Sequence, residues 1–192
     1  MNTKTAKQKI LDAAAILFYN DGITNTGINT ITDKAKVAKM SLYNNFPTKS
    51  DLISSYSEAR HQEWLELYAV RNRDAHTPVD KIIAVFEAYQ DHAEFAYEKG
   101  FRGCGLLNAA AEFPAHSAER LAVKQHKDEI EKIISTQLAL LIEEPERVQQ
   151  IALMLSFLLE GSIARAGLES SSEKVLAATQ MVKTILAREI IA

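Results

Sequence analysis

Apolar residues recur at intervals of three and four along most of the chain, the period of a helix that buries one face. Ile10, Ala13, Ala14, Leu17 and Phe18 form one such stripe. Val79, Ile82, Ile83, Phe86, Tyr89 and Ala93 form a second, and Ile130, Ile133, Ile134, Leu138 and Leu141 a third. No stretch alternates apolar and polar residues between hairpin turn pairs, so the pattern predicts an all-α fold. Breaks fall at Gly22 and Gly27, Pro47, Pro78, the cluster Gly100, Gly103 and Gly105, then Pro114, Pro145 and Gly167. Between them the spacing predicts about nine helices, over roughly 4–20, 28–35, 39–45, 49–73, 78–98, 106–112, 117–141, 146–166 and 173–189. No repeat of fixed period runs through them, which argues against a solenoid. The first three helices are short and the rest long, and the division falls near Pro47.

Composition adds exclusions. The 192 residues are 47% hydrophobic and 24% charged, the balance of an ordinary globular chain that buries its own core. A lone cysteine, Cys104, excludes an internal disulfide and a CxxC zinc clip. The unbroken apolar runs, Ala13 to Tyr19, Ile151 to Leu155 and Phe157 to Leu159, fall short of the roughly 18 residues of a membrane span. Lys4, Lys7, Lys9 and Asp12 precede any apolar stretch, unlike a signal peptide. The expectation is a cytoplasmic protein with no membrane partner. Charge is uneven: residues 1–50 hold seven lysines against three aspartates, a net +4, and since the whole chain carries −3 the remainder carries −7. A basic head on an acidic body is the footprint of a chain that touches a polyanion at one end.

The segment Thr26 to Phe46, TGINTITDKAKVAKMSLYNNF, makes that footprint specific. Thr26 has the side chain of an N-cap, and Ile28, Ile31 and Ala35 mark one face of a two-turn helix. Lys36 and Val37 make a turn, after which Leu42 and Phe46 repeat at i, i+4. Two short helices with thin apolar faces toward a third make a helix-turn-helix unit. Off the second stripe stand Lys39, Met40, Ser41, Tyr43, Asn44 and Asn45. Lysine reaches a phosphate or a guanine edge, asparagine pairs with adenine, and methionine or the serine Cβ touches a thymine methyl. Lys49 and the lysines of the first helix stand ready to neutralise flanking phosphates.

The order Ile31, Ala35, Val37, Lys39, Leu42-Tyr43, Phe46-Pro47, Lys49, Leu52, with the run Ile10 to Gly22 before it, resembles the amino-terminal signature of the TetR family of transcriptional repressors. The resemblance is close over about 50 residues; beyond them it lies mainly in helix number and spacing. It implies a helix-turn-helix DNA-binding domain over 1–48 and a ligand-binding and dimerisation domain over 49–192. It further implies that Thr26 caps the second helix against a phosphate, that Lys39 to Asn45 form the recognition helix, and that Tyr43 and Lys49 clamp the backbone. This chain departs from the pattern at Lys36, where the family usually has glycine, and at Met40, where a smaller residue is common. A non-glycine residue at positive φ costs about 1 kcal/mol, so Lys36 either alters the turn or accepts strain and gains a phosphate contact.

In the acidic body, the predicted helix over 146–166 is apolar nearly all round its middle, from Val148 to Ala164. One face must therefore meet something outside its own domain. The last helix adds Val175, Leu176, Val182, Ile185, Leu186 and Ile190. The expectation, which the resemblance shares, is a homodimer through these two helices, eighth and ninth in order, presenting two recognition helices to double-stranded operator DNA. Aromatic and polar residues on the inward stripes suggest a site for an unidentified small-molecule effector: Trp64, Tyr68, Phe86, Tyr89, Asn108, His126, Phe157 and Glu160. His92 lies on an apolar stripe as well. The run Gly100 to Phe113 resembles a segment that borders the effector cavity in one branch of the family. Cys104 within it, next to Arg102 and near a helix start, has the setting that lowers a thiol pKa, so a redox or electrophile sensor is the alternative reading.

Nothing points to an enzyme. A di-iron bundle needs two E-x-x-H motifs, and only Glu58 to His61 supplies one. No glycine-rich phosphate loop or HExxH is present, and neither metal nor cofactor is expected. The basic head disfavours a helical interaction module without DNA binding. The expectation is a ligand-responsive transcriptional regulator that represses from a pseudo-palindromic operator.

Overall fold

The computed structural model describes residues 4–191, with side chains up to residue 189. Its elements are α1 (Ala6–Asp21), α2 (Ile28–Ala35), α3 (Lys39–Asn45), α4 (Lys49–Asn72), α5 (Pro78–Glu94), α6 (Gly105–Ala110), α7 (Ala118–Leu138), α8 (Pro145–Glu169) and α9 (Glu173–Ile191), with no strand among the described residues. The chain divides into two compact units. The first runs to His61 and takes in Gly105–Val123; the second holds Gln62–Cys104 and the chain from Lys124 onward. α4 and α7 each pass from one unit into the other. This packing division follows contacts, whereas the expected division at residue 48 follows function.

The first unit is built on α1. Its buried face, Ile10, Ala13, Ala14, Leu17 and Phe18, meets Ile31 and Ala35 of α2, Leu42 of α3, Phe46, and Leu52, Ile53 and Tyr56 of α4. Phe18 and Tyr56 meet edge to face with centroids 5.3 Å apart. Thr5 caps α1 by accepting from the Gln8 amide at 3.2 Å. α4 opens on a capping pair, with the Thr48 amide donating to Asp51 and the Asp51 amide to the Thr48 hydroxyl.

One expectation needs correction here, and another is decided. Gly27, not Thr26, is the N-cap of α2, and no side chain caps that end. Thr26 is buried, and its hydroxyl donates to the Gly22 carbonyl at 2.6 Å, so the oxygen faces the interior instead of the helix amides. Lys36 does take the left-handed conformation, φ 54° and ψ 49°, and ends α2 there. The Val37 amide then reaches back to the Thr32 carbonyl at 3.1 Å, which satisfies an end of the helix at the expense of local strain.

In the second unit α5 packs on α9 and α8, and α8 on α9. α5 starts on a capping box, Thr77 with Asp80, and has Pro78 at its first position. It stops at Glu94, short of the expected 98, because Phe95 turns extended. The next residues fold back: the Tyr97 hydroxyl lies 3.1 Å from His92 Nδ1, and Phe101 meets the His92 ring edge on. α8 is held close to the segment before α6; a Cβ on Gly167 would lie 2.4 Å from the Gly103 nitrogen, so only glycine fits. α8 is also long and apolar enough to cross a membrane by length and composition, a measure that core helices meet as well. Its residues Val148, Ile151, Leu155, Leu159 and Ile163 are buried in the fold. The Ile190 side chain, expected on the α9 stripe, lies outside the described residues.

Candidate functional site

The α2–turn–α3 segment sorts its side chains sharply. Leu42 is buried and anchors α3, while Lys39, Met40, Tyr43 and Asn44 face solvent, as does Lys36 in the turn. Met40 is 71% exposed. Ser41 and Asn45 are half-buried, and the Asn45 amide donates to the Ser41 carbonyl at 2.8 Å, which uses part of its capacity inside the helix. A face of one cation, one amide, one thioether and one phenol on a helix held by a single leucine can read a groove. On and just before α1, Lys9 is exposed, Lys4 pairs with Asp12 at 2.6 Å and the Lys7 ammonium sits 5.8 Å from the Phe46 ring centre.

Two expected contacts are engaged elsewhere. Thr26 is enclosed, as described above. Lys49, expected at a phosphate, instead donates to the Ile23 carbonyl at 2.6 Å. Burial pushes its pKa down, against the pull of Glu112. The second residue in this arrangement, Glu112, was not anticipated. Its carboxylate accepts from the Ile23 amide at 2.8 Å and the Thr24 amide at 2.6 Å. Lys49 and Glu112 thus hold the α1–α2 loop from its two sides, and Gly22 at φ +89° leaves room for the carboxylate.

In the second unit four of the expected ligand residues come together. Trp64 stacks on Tyr68 with centroids 5.6 Å apart, and lies 5.7 Å from Tyr89 and 5.6 Å from His126. Phe86 is fully buried on α5. Cys104 and Glu160 join the cluster through a residue the sequence reading missed, Lys127. Its ammonium lies 2.8 Å from Glu160 Oε1, 3.0 Å from the Tyr89 hydroxyl and 3.6 Å from Cys104 Sγ. Burial raises the Tyr89 pKa. Burial alone would lower that of Lys127, but the acidic groups Cys104, Tyr89 and Glu160 around it outweigh the effect and raise it well above the usual value.

Asn108 stands on α6 in the first unit, half-buried. Phe157 is a correction: it was expected on the inward stripe and is 66% exposed. The buried residues Leu155 and Leu159 lie two positions to either side, about 200° round the helix, so Phe157 points away from them. It lines an outer groove of about 590 Å³ with Met154, Leu158, Met181, Thr184 and Ile185. Cys104 is 7% exposed and faces Lys127, so the thiol-sensor alternative gains no support: a reactive thiol needs access. Among the described residues no three His, Cys, Asp or Glu side chains gather to hold a metal.

The family model described as bacterial regulatory proteins, tetR family, matches residues 10–56, the span from α1 into α4. A TetR-family transcriptional regulator from Streptomyces coelicolor is similar over 96% of both chains, at 26% identity and a TM-score of 0.86. Residues 10–56 carry the amino-terminal module of the TetR family of transcriptional regulators, and the whole chain has the fold of its members. Two further structures share the fold of this regulator. A TetR regulator from Legionella pneumophila covers 96% of this chain and 99% of its own, at 19% identity and TM-score 0.80. One from Chloroflexus aurantiacus covers 95% and 94%, at 24% identity and TM-score 0.80. The comparison with curated proteins finds no match.

The Glu112 tie gives the regulator a measurable acid dependence. Burial would raise its pKa, but the Thr24 and Ile23 amides and the Lys49 charge outweigh it and hold the group below the usual glutamate value. A lowered carboxylate pKa adds stability that is present above the unfolded value and is lost as pH falls through the folded one. Glu112→Gln keeps one acceptor oxygen and loses the charge. It is expected to lower stability at pH 7 by about 1 kcal/mol, a figure already reduced for solvent exposure. Urea melts of the two proteins should converge as the pH drops below about 4.

Proposed function

We propose that this regulator binds a pseudo-palindromic operator as a homodimer, represses transcription in the cytoplasm, and leaves the DNA when a small-molecule effector enters its second unit. The observation that carries the reading is the face of α3, where Lys39, Met40, Tyr43 and Asn44 stand exposed on a helix fixed by buried Leu42. One such helix offers few base contacts. Two, set about 34–36 Å apart by a dimer, fit successive major grooves on one side of the duplex. The groove between α8 and α9, with Phe157, Met154 and Met181 in it, supports those helices as the dimer face.

α4 begins at Lys49, three residues after Phe46, and runs without a break to Asn72. A ligand that displaces its carboxyl-terminal half is felt at α3 through one continuous helix. Release requires that the effector prefer the dimer geometry in which the recognition helices no longer match the operator.

Selection from a random pool of double-stranded DNA, followed by binding in a salt series, tests the reading. The selected site should be two-fold symmetric. Lys39→Ala should weaken binding to all sequences and flatten the salt slope by about one unit. Asn44→Ala should relax preference at one base pair in each half-site, at a cost of about 1–3 kcal/mol. Lys49→Ala is no substitute, because that ammonium also holds the Ile23 carbonyl. Failure to enrich any sequence, or a selected site with no symmetry, overturns the proposal.

A further inference from the structure

The buried cluster of the second unit holds two polar atoms without hydrogen-bond partners, Trp64 Nε1 and Glu160 Oε2. Trp64 is 5% exposed, and its N–H is a donor only. Glu160 uses its other oxygen on Lys127 and leaves an anionic acceptor unmet. Both residues are tied to Tyr89: the Trp64 ring packs on the Tyr89 ring, and Lys127 joins Glu160 to the Tyr89 hydroxyl. Buried polar atoms are almost always satisfied in folded proteins, so a donor and an acceptor left open in one cluster are available to a bound molecule.

The cluster also says what kind of molecule. Lys127 and Glu160 already balance each other, so a charged guest would bring a buried charge with no counterpart. The three donors of Lys127 face Glu160, Tyr89 and Cys104, which leaves it nothing to offer a carboxylate. The open donor on Trp64 asks for an acceptor, and the open oxygen on Glu160 asks for a donor. Around them stand the flat faces and edges of Trp64, Tyr68, Tyr89 and His126. We infer that the effector is a neutral aromatic molecule carrying a hydroxyl and a separate carbonyl-type acceptor, the hydroxyl donating to Glu160 and the acceptor taking the Trp64 N–H. This rests on the reading of the second unit as the effector-binding part.

Trp64 is the one tryptophan of the chain, so its fluorescence reports the site directly. The probes are 3- and 4-hydroxyacetophenone, acetophenone without the hydroxyl, the anion 4-hydroxybenzoate and the cation tyramine, each titrated into the full chain with thermal shift as the second readout. At least one hydroxyacetophenone should quench saturably and bind at least tenfold more tightly than acetophenone and both charged probes. Glu160→Gln should erase the preference for the hydroxyl; if that variant does not fold, Glu160→Gln paired with Lys127→Met serves in its place. Equal binding of acetophenone, or tighter binding of a charged probe, overturns the ligand class and leaves the second unit as the effector-binding part. Neither quenching nor thermal shift with any of the five overturns both.

Discussion

A Phe157→Glu variant is expected to run as a monomer in size-exclusion with light scattering and to lose operator affinity on the order of 10²–10⁴-fold, the gain that linking two half-sites supplies. Phe157 is 66% exposed, so the folded chain on its own loses little by the change, and the circular dichroism of the variant should remain helical. The cost falls on association. An aromatic side chain buried at an interface contributes about 1.5–3 kcal/mol, and a two-fold axis counts it twice. A carboxylate in its place would put a charge into the apolar groove of Met154, Leu158, Met181 and Ile185. The same logic makes the melting temperature of the unaltered regulator rise with protein concentration and that of the variant stay flat. A variant that stays dimeric with unchanged DNA affinity removes α8 and α9 from the interface and returns Phe157 to the list of plain surface residues.

Much of the fold is legible in the chain because its cues are local. The stripe Ile10 to Phe18 marks the buried face of α1, and the Thr77-Pro78-Asp80 start of α5 and Pro145 at the head of α8 stand where those helices begin. The left-handed Lys36 could be foreseen from a turn that needed a glycine and lacked one. What escaped depends on distant partners. Thr26 has the side chain of a cap, but the Gly22 carbonyl, four residues back, takes its hydroxyl into the interior. Glu112 meets amides 88 and 89 positions earlier in the chain, a pairing that no periodicity encodes. Phe157 and Glu160 are both plausible inward residues on a helix that is apolar nearly all round; only the packing of α5 and α9 decides which face is outside. Lys127 left a trace that was open to reading. It occupies the stripe Val123, Lys127, Ile130, Ile134, Leu138, where a charge has no business unless a partner waits across the interface.

Lys127→Met is expected to cost the regulator about 2–3 kcal/mol and to lower its melting temperature by about 5–10 °C. The methionine fills nearly the same volume, so the loss is electrostatic. Glu160 is left with no partner on either oxygen, and the Tyr89 hydroxyl loses its bond. Breaking a fully buried pair costs about 3–5 kcal/mol; the smaller figure allows for a Glu160 side chain that is 28% exposed. Adding Glu160→Gln to Lys127→Met should recover most of the loss, since the site then holds no unpaired charge. The recovery separates this account from simple damage to packing, which a second substitution would only deepen. The alkaline limb offers an independent check. Lys127 has a raised pKa in the folded state, so its contribution is whole below the ordinary lysine value of about 10.4 and fades as pH climbs through the raised one. The single variant lacks that contribution at neutral pH, so its stability should fall less steeply above pH 10 than that of the unaltered chain. A double variant no more stable than the single one would show that the ammonium matters for its shape and not for its charge.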